Sequence, residues 1–122
     1  MRFLSTRTHG VIDYVGGIAL ILAPYLLGFA DGTAAQYFAQ IIGAHAILEA
    51  LLTDYELGVV GLFPMRVHLL IDLVAGTLLA VSPWLLGFAG RIAWPHVLFG
   101  SAIVIAAGLT TRTAPAESSA SR

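Results

Sequence analysis

Three pairs of ionisable residues recur at one spacing in this chain: His9 with Asp13, His45 with Glu49, and His68 with Asp72. A separation of four places each pair on one face of a helix, where the two side chains can meet. Imidazole and carboxylate together can pair charges, relay a proton, or ligate a metal through nitrogen and oxygen. The flanking sequence is almost wholly apolar, so these groups sit at membrane depth. There an ionisable side chain costs about 2.5–3.5 kcal/mol on insertion scales and is a functional candidate by default.

Two of the pairs are copies of each other. Residues 9–30 and 68–89 share twelve identities at an offset of 59, among them His9/His68, Asp13/Asp72, Gly17/Gly76 and Pro24/Pro83. The best-kept stretch is Ala23-Pro24-Tyr25-Leu26-Leu27-Gly28-Phe29-Ala30, which returns as Ser82-Pro83-Trp84-Leu85-Leu86-Gly87-Phe88-Ala89. Apolar sequence does not keep His, Asp, Pro and Gly in register by chance, so the chain is a tandem duplication. In this reading Pro24, Tyr25, Gly28, Ser82, Pro83, Trp84 and Gly87 are structural. Proline stops the helix, the aromatic anchors at the headgroups, and glycine lets the chain reverse.

Composition supports the membrane setting. The 122 residues are 58% hydrophobic and 11% charged, and the mean hydropathy is +0.88. A soluble domain carries roughly 25% charged residues. With a net charge of −1, six arginines, no lysine and no basic run, nucleic acid is not expected as a partner. The absence of cysteine removes disulfides and thiolate chemistry together. No Ser/His/Asp arrangement, phosphate loop or zinc-protease signature is present, so no catalytic residue is assigned and enzymatic activity is not expected.

The expected architecture is all-α: a polytopic membrane protein with four transmembrane helices, built as two tandem parallel helical-hairpin repeats. Residues 1–8 form a cytoplasmic lead. Repeat 1 covers 9–56, with helices over about 10–27 and 34–53. A connection at 57–63 lies along the cytoplasmic interface, and repeat 2 covers 64–111 with helices over about 64–86 and 94–110. The tail 112–122 reads as disordered. Four spans put Arg2, Arg7, Arg66, Arg112 and Arg122 on one side and Arg91 on the other. The positive-inside rule then places both termini in the cytoplasm, across the inner membrane. Tyr25, Phe29, Tyr37, Trp84, Phe88 and Trp94 form an aromatic belt at the opposite interface, where His96 is an interfacial residue.

Two helix pairs whose first members close on Ser-Pro-Trp or a variant resemble the SPW repeat family of small prokaryotic membrane proteins. The resemblance covers about residues 9–112, with Ser82, Pro83 and Trp84 intact and Ala23, Pro24 and Tyr25 diverged. It implies a four-helix integral membrane protein and brings no established activity or catalytic residues.

The polar cluster expected from the sequence is His9, Asp13, His45, Glu49, Arg66, His68 and Asp72. Its plainest role is a brace in which His⁺ or Arg66 neutralises each carboxylate, giving a structural or interaction bundle. That bundle's partners are the lipid bilayer and either a homo-oligomer or other membrane proteins. Aligned through Gly43 and Gly100, however, His45 and Glu49 match Ala102 and Ala106, so the cluster is lopsided. The alternative is a shallow hydrated pocket open to the cytoplasm, lined by Asp13, His45, Glu49 and Asp72, that binds or passes protons or cations. A third reading gives His9, His45 and His68 to haem or a divalent metal, although no cofactor follows from spacing alone.

Overall fold

The computed structural model describes residues 1–114; the tail beyond, which carries most of the expected disordered segment, lies outside the described residues. Four helices dominate: α1 (Thr6–Leu26), α2 (Ala34–Leu52), α3 (Met65–Leu85) and α4 (Trp94–Leu109). Two-residue strands β1 (Thr53–Asp54) and β2 (Phe63–Pro64) flank the central connection. The first helix starts four residues before the expected Gly10. Ser5 is the reason, because its side chain accepts from the Thr8 N–H at 3.1 Å and satisfies a donor that the helix start leaves free.

Each hairpin closes on a glycine-to-glycine contact. A Cβ on Gly43 would stand 2.6 Å from the Gly17 carbonyl oxygen, and one on Gly100 would stand 2.5 Å from that of Gly76. Neither distance is compatible with a side chain, so these four positions set how closely α1 approaches α2 and α3 approaches α4.

The repeated motif behaves differently from the expectation. Pro24 and Pro83 lie inside the last turns, and the helices run on to Leu26 and Leu85. Reversal is the work of Gly28 and Gly87, with φ of +79° and +78°. Each is followed by a phenylalanine whose N–H returns to the proline carbonyl, Phe29 to Pro24 at 2.9 Å and Phe88 to Pro83 at 2.7 Å. This is the Schellman closure, which needs a left-handed residue just past the helix. Proline also deprives the carbonyl four residues back of its donor. In repeat 2 the buried Ser82 hydroxyl donates to that carbonyl, on Leu79, at 2.7 Å. Ala23 has no hydroxyl to do the same in repeat 1.

The repeats exchange ends. β1 pairs in parallel with β2, Thr53 opposite Phe63, so the exit of α2 lies beside the entry to α3. The exit of α4 lies beside the entry to α1 in the same way, through a parallel bridge between Leu4 and Thr110. The first junction is made by continuous chain; the second is made only by hydrogen bonds, Leu4 N–H to Leu109 at 2.8 Å and Thr111 N–H to Leu4 at 3.0 Å.

Outward faces are apolar. α1 exposes Val11, Val15, Ile18 and Leu22, and α3 exposes Leu70, Val74, Val81 and Leu85. Among the described residues, α1 and α3 are long and apolar enough to cross a membrane, while α4 is apolar but has 16 residues. The combined length and apolarity expected of all four helices are therefore met by two. Of the expected aromatic belt, Tyr25, Tyr37, Trp84 and Trp94 are exposed. Phe29 and Phe88 are buried instead, at 5.2 and 4.6 Å from the ring of His96. His96, in the first turn of α4, is buried among them and donates from Nε2 to the Ala35 carbonyl at 2.8 Å.

Candidate functional site

The duplicated His–Asp pairs converge at the helix ends where the repeats exchange. His9 and Asp13 on α1 face His68 and Asp72 on α3, and all four are buried. The pairing is crosswise. His9 Nε2 lies 2.8 Å from Asp72 Oδ2 and 3.2 Å from its own helix partner Asp13, while His68 Nε2 lies 2.9 Å from Asp13 Oδ2 and 3.2 Å from Asp72. The two imidazoles meet edge to face, with ring centroids 5.2 Å apart. One nitrogen or oxygen from each of the four residues falls within a 4.8 Å span.

The outer nitrogens are held by two threonines for which the spacing of ionisable residues contained no signal. His9 Nδ1 lies 2.8 Å from the Thr110 hydroxyl, and His68 Nδ1 lies 2.7 Å from that of Thr53. Each hydroxyl donates its one hydrogen to the carbonyl four residues back, Thr110 to Ala106 at 2.6 Å and Thr53 to Glu49 at 2.7 Å. It can then only accept from the imidazole, so the proton is assigned to Nδ1 on both rings. Both Nε2 atoms, and whatever lone pairs they carry, face the carboxylates. Thr53 and Thr110 are separated by the same offset as Gly43 and Gly100, so extending the repeat alignment to the helix ends finds them.

Proximity inside the tetrad exceeds hydrogen bonding. His68 Nε2 and Asp13 Oδ2 make no hydrogen bond to any described residue, although they are 2.9 Å apart. The nitrogen's in-plane direction does not run to that oxygen. Both atoms are buried.

The remaining expected members are placed at the edge or elsewhere. Glu49 is buried beside the tetrad, with Oε1 3.8 Å from His68 Nδ1, and neither of its oxygens has a hydrogen-bond partner among the described residues. His45 stands 3.6 Å from Glu49 with its side chain 43% exposed. Arg66 does not join the cluster: it lines a separate cavity with Arg2 and Arg112. The face of α3 that carries residues 68 and 72 is not the one that carries residue 66.

A cavity of about 420 Å³ reaches the tetrad at His9, Asp13 and Asp72, with His45 at its side. Its other walls are apolar, among them Ile12, Phe99 and Ile103, and Ala102 and Ala106 leave room where the other repeat has His45 and Glu49. Of the residues expected to line a polar pocket, Asp13, His45 and Asp72 do so here and Glu49 does not. Tyr55, buried in the connection after α2, sets its ring 6.0 Å from that of His68. Burial holds its phenol well above the ordinary value.

The family model of the SPW repeat domain matches residues 7–110. The chain belongs to the SPW repeat family. The matched span starts at Arg7 in the first turn of α1 and ends on Thr110, so it encloses both motif copies, the tetrad and both threonines. Family membership and the apolar outer faces of its helices make this SPW repeat protein a membrane protein. No curated protein and no solved structure matches it.

Proposed function

We propose that this SPW repeat protein is a four-span bundle of the inner membrane that binds one divalent transition-metal ion between its repeats. His9 and His68 would ligate through Nε2, and Asp13 and Asp72 through one oxygen each. The observation that carries the reading is the pair of threonine hydroxyls that fix both Nδ1–H groups. Metal-bound imidazoles characteristically have their other nitrogen anchored in this way. Two imidazole nitrogens and two carboxylate oxygens suit zinc and its neighbours, and two carboxylates neutralise a divalent ion inside an apolar bundle. Both termini lie on the cytoplasmic side in this reading, supported by Arg2, Arg7, Arg66 and Arg112 at one end and by Arg91 at the other.

The test is metal content after loading the purified, folded protein with zinc and passing it through a desalting column. One ion per chain is expected, with loss of the ion in Asp72→Asn and His68→Gln. Metal should also raise the melting temperature of wild type, by the equivalent of about 2.7 kcal/mol at a hundredfold excess over Kd, and leave the variants unmoved. Folded wild type that retains no zinc, manganese, iron, cobalt or nickel ends the proposal. The second reading is a structural or interaction bundle braced by the same groups, with other membrane proteins or further copies of the chain as partners. It is favoured by the 2.8 Å hydrogen bond between His9 and Asp72. That reading expects the variants to lose the same stability with and without metal.

A further inference from the structure

The second cavity, about 430 Å³, lies at the end of the bundle where the polypeptide starts. Its described lining consists of Arg2, Arg66 and Arg112 with Val67, Leu69, Leu70 and Leu73, and it includes no acidic side chain. The three arginines come from three parts of the chain: the arm before α1, the first turn of α3, and the segment just after α4. Arg2 is fixed in place, donating from Nη1 to the Ala107 and Thr110 carbonyls at 3.0 and 2.8 Å. Among the described residues, no carboxylate pairs with any of the three.

Three guanidinium groups lining one cavity, with no described carboxylate beside them, offer a site for an anion. The apolar half of the cavity says which kind. Arg66, Leu70 and Leu73 follow one another at spacings of four and three, so they share one face of α3, with the guanidinium at the membrane end and the leucines toward the bilayer interior. Leu70 is exposed on that face. A phosphate group with acyl chains directly beneath it matches this order; a soluble anion uses only its upper half.

The geometry points to a binding site for one anionic phospholipid, its phosphate held by Arg66 and Arg112 beside Arg2 and its chains laid along Leu70 and Leu73. The site rests on the bilayer-spanning reading above and is independent of the metal tetrad. The duplication supplies an internal comparison. Arg7 is the repeat mate of Arg66, but Gly61 and Tyr55 stand where the second repeat has Arg2 and Arg112. Repeat 1 therefore has one arginine at that depth and no cluster.

The experiment is native mass spectrometry of the full chain released from mixed bilayers of phosphatidylglycerol and phosphatidylcholine with identical acyl chains. Wild type is expected to retain one phosphatidylglycerol in preference to phosphatidylcholine. Arg66→Gln and Arg112→Gln should each cut that preference by about fivefold, the weight of one basic residue at an anionic surface. Arg7→Gln removes the same charge from the same end and should leave the preference intact. Equal retention of the two lipids overturns the site, as does an equal loss in Arg7→Gln, which would reduce the effect to surface charge. Displacement of the lipid by millimolar inorganic phosphate would reassign the cavity to a soluble anion and overturn the lipid assignment. Circular dichroism of each variant confirms that the helices remain.

Discussion

His9 and Thr110 meet at 2.8 Å although 101 residues separate them, and the contact is repeated between His68 and Thr53 at 2.7 Å. Each bond joins a histidine of one repeat to the threonine that ends the other. The bundle is thus two copies that hold each other's histidines.

This relationship separates orientation from ligation. Thr53→Val and Thr110→Val keep every proposed ligand and the side-chain volume, but free one imidazole from its anchor. Each is expected to weaken zinc affinity about 10–100-fold, the usual weight of an outer partner. Competition with a chromophoric chelator measures it. Unchanged affinity in both variants would leave the threonines as packing residues and remove the main support for the metal reading.

The glycine contacts give a second test. Ala at Gly43 or Gly100 would force a methyl to 2.6 or 2.5 Å from a carbonyl oxygen of the facing helix. Overpacking of this kind costs about 1–3 kcal/mol. Gly108 sits in α4 with nothing within 4 Å of an added Cβ. There Gly→Ala should gain up to about 1 kcal/mol from helix propensity. Thermal unfolding in detergent reads both, and a loss at Gly108 matching that at Gly43 would count against the contact.

Ser82 and Pro83 form a compensating pair in the second motif. Ser82→Ala leaves the carbonyl of buried Leu79 with no donor and should cost about 1–3 kcal/mol. Thr77 is the control. Its hydroxyl donates to a carbonyl four residues back, on Leu73 at 2.6 Å, where Ser82 reaches three back, but no proline interrupts the ladder there and the site is exposed. Thr77→Ala should cost much less. Equal losses would mean that the serine is not answering the proline.

The loops between helices are tied at the end opposite the tetrad. Arg91 Nη1 approaches Asp31 Oδ2 at 2.5 Å, and its Nη2 donates to the Thr33 hydroxyl at 2.6 Å. The hydroxyl and N–H of Thr33, with Arg91, hold the Asp31 carboxyl below its ordinary value. A carboxyl depressed on folding stabilises above its unfolded value, about pH 3.9, and loses that contribution as pH falls through the folded value. Asp31→Asn should therefore be slightly less stable than wild type at pH 7, and the difference should vanish in acid and shrink in high salt. A difference that persists once the carboxyl is fully protonated in the folded state would place the effect elsewhere.

Much of this was legible from residue order. Twelve identities at a constant offset announced two copies, and apolar runs broken at Gly28 and Gly87 marked where α1 and α3 end. The recurrent spacing of four also picked out all four members of the tetrad. The start of α1 was misplaced because Ser5 acts through one short hydrogen bond that hydropathy cannot register. Arg66 was misassigned because proximity along a helix, two residues from His68, says nothing about direction when the faces differ by most of half a turn.

By itself, then, the sequence determined an all-helical duplicated chain whose surface is apolar and whose few ionisable groups must find partners inside it. Periodicity and composition are local properties, and burial follows from them in any packing. Only the tertiary structure decided that the His–Asp pairs bind crosswise, that threonines at the ends of α2 and α4 set the imidazole protons, and that three arginines from distant segments share a cavity. Those choices depend on how two hairpins are set against each other, and in this chain the exchange of helix ends fixes that setting.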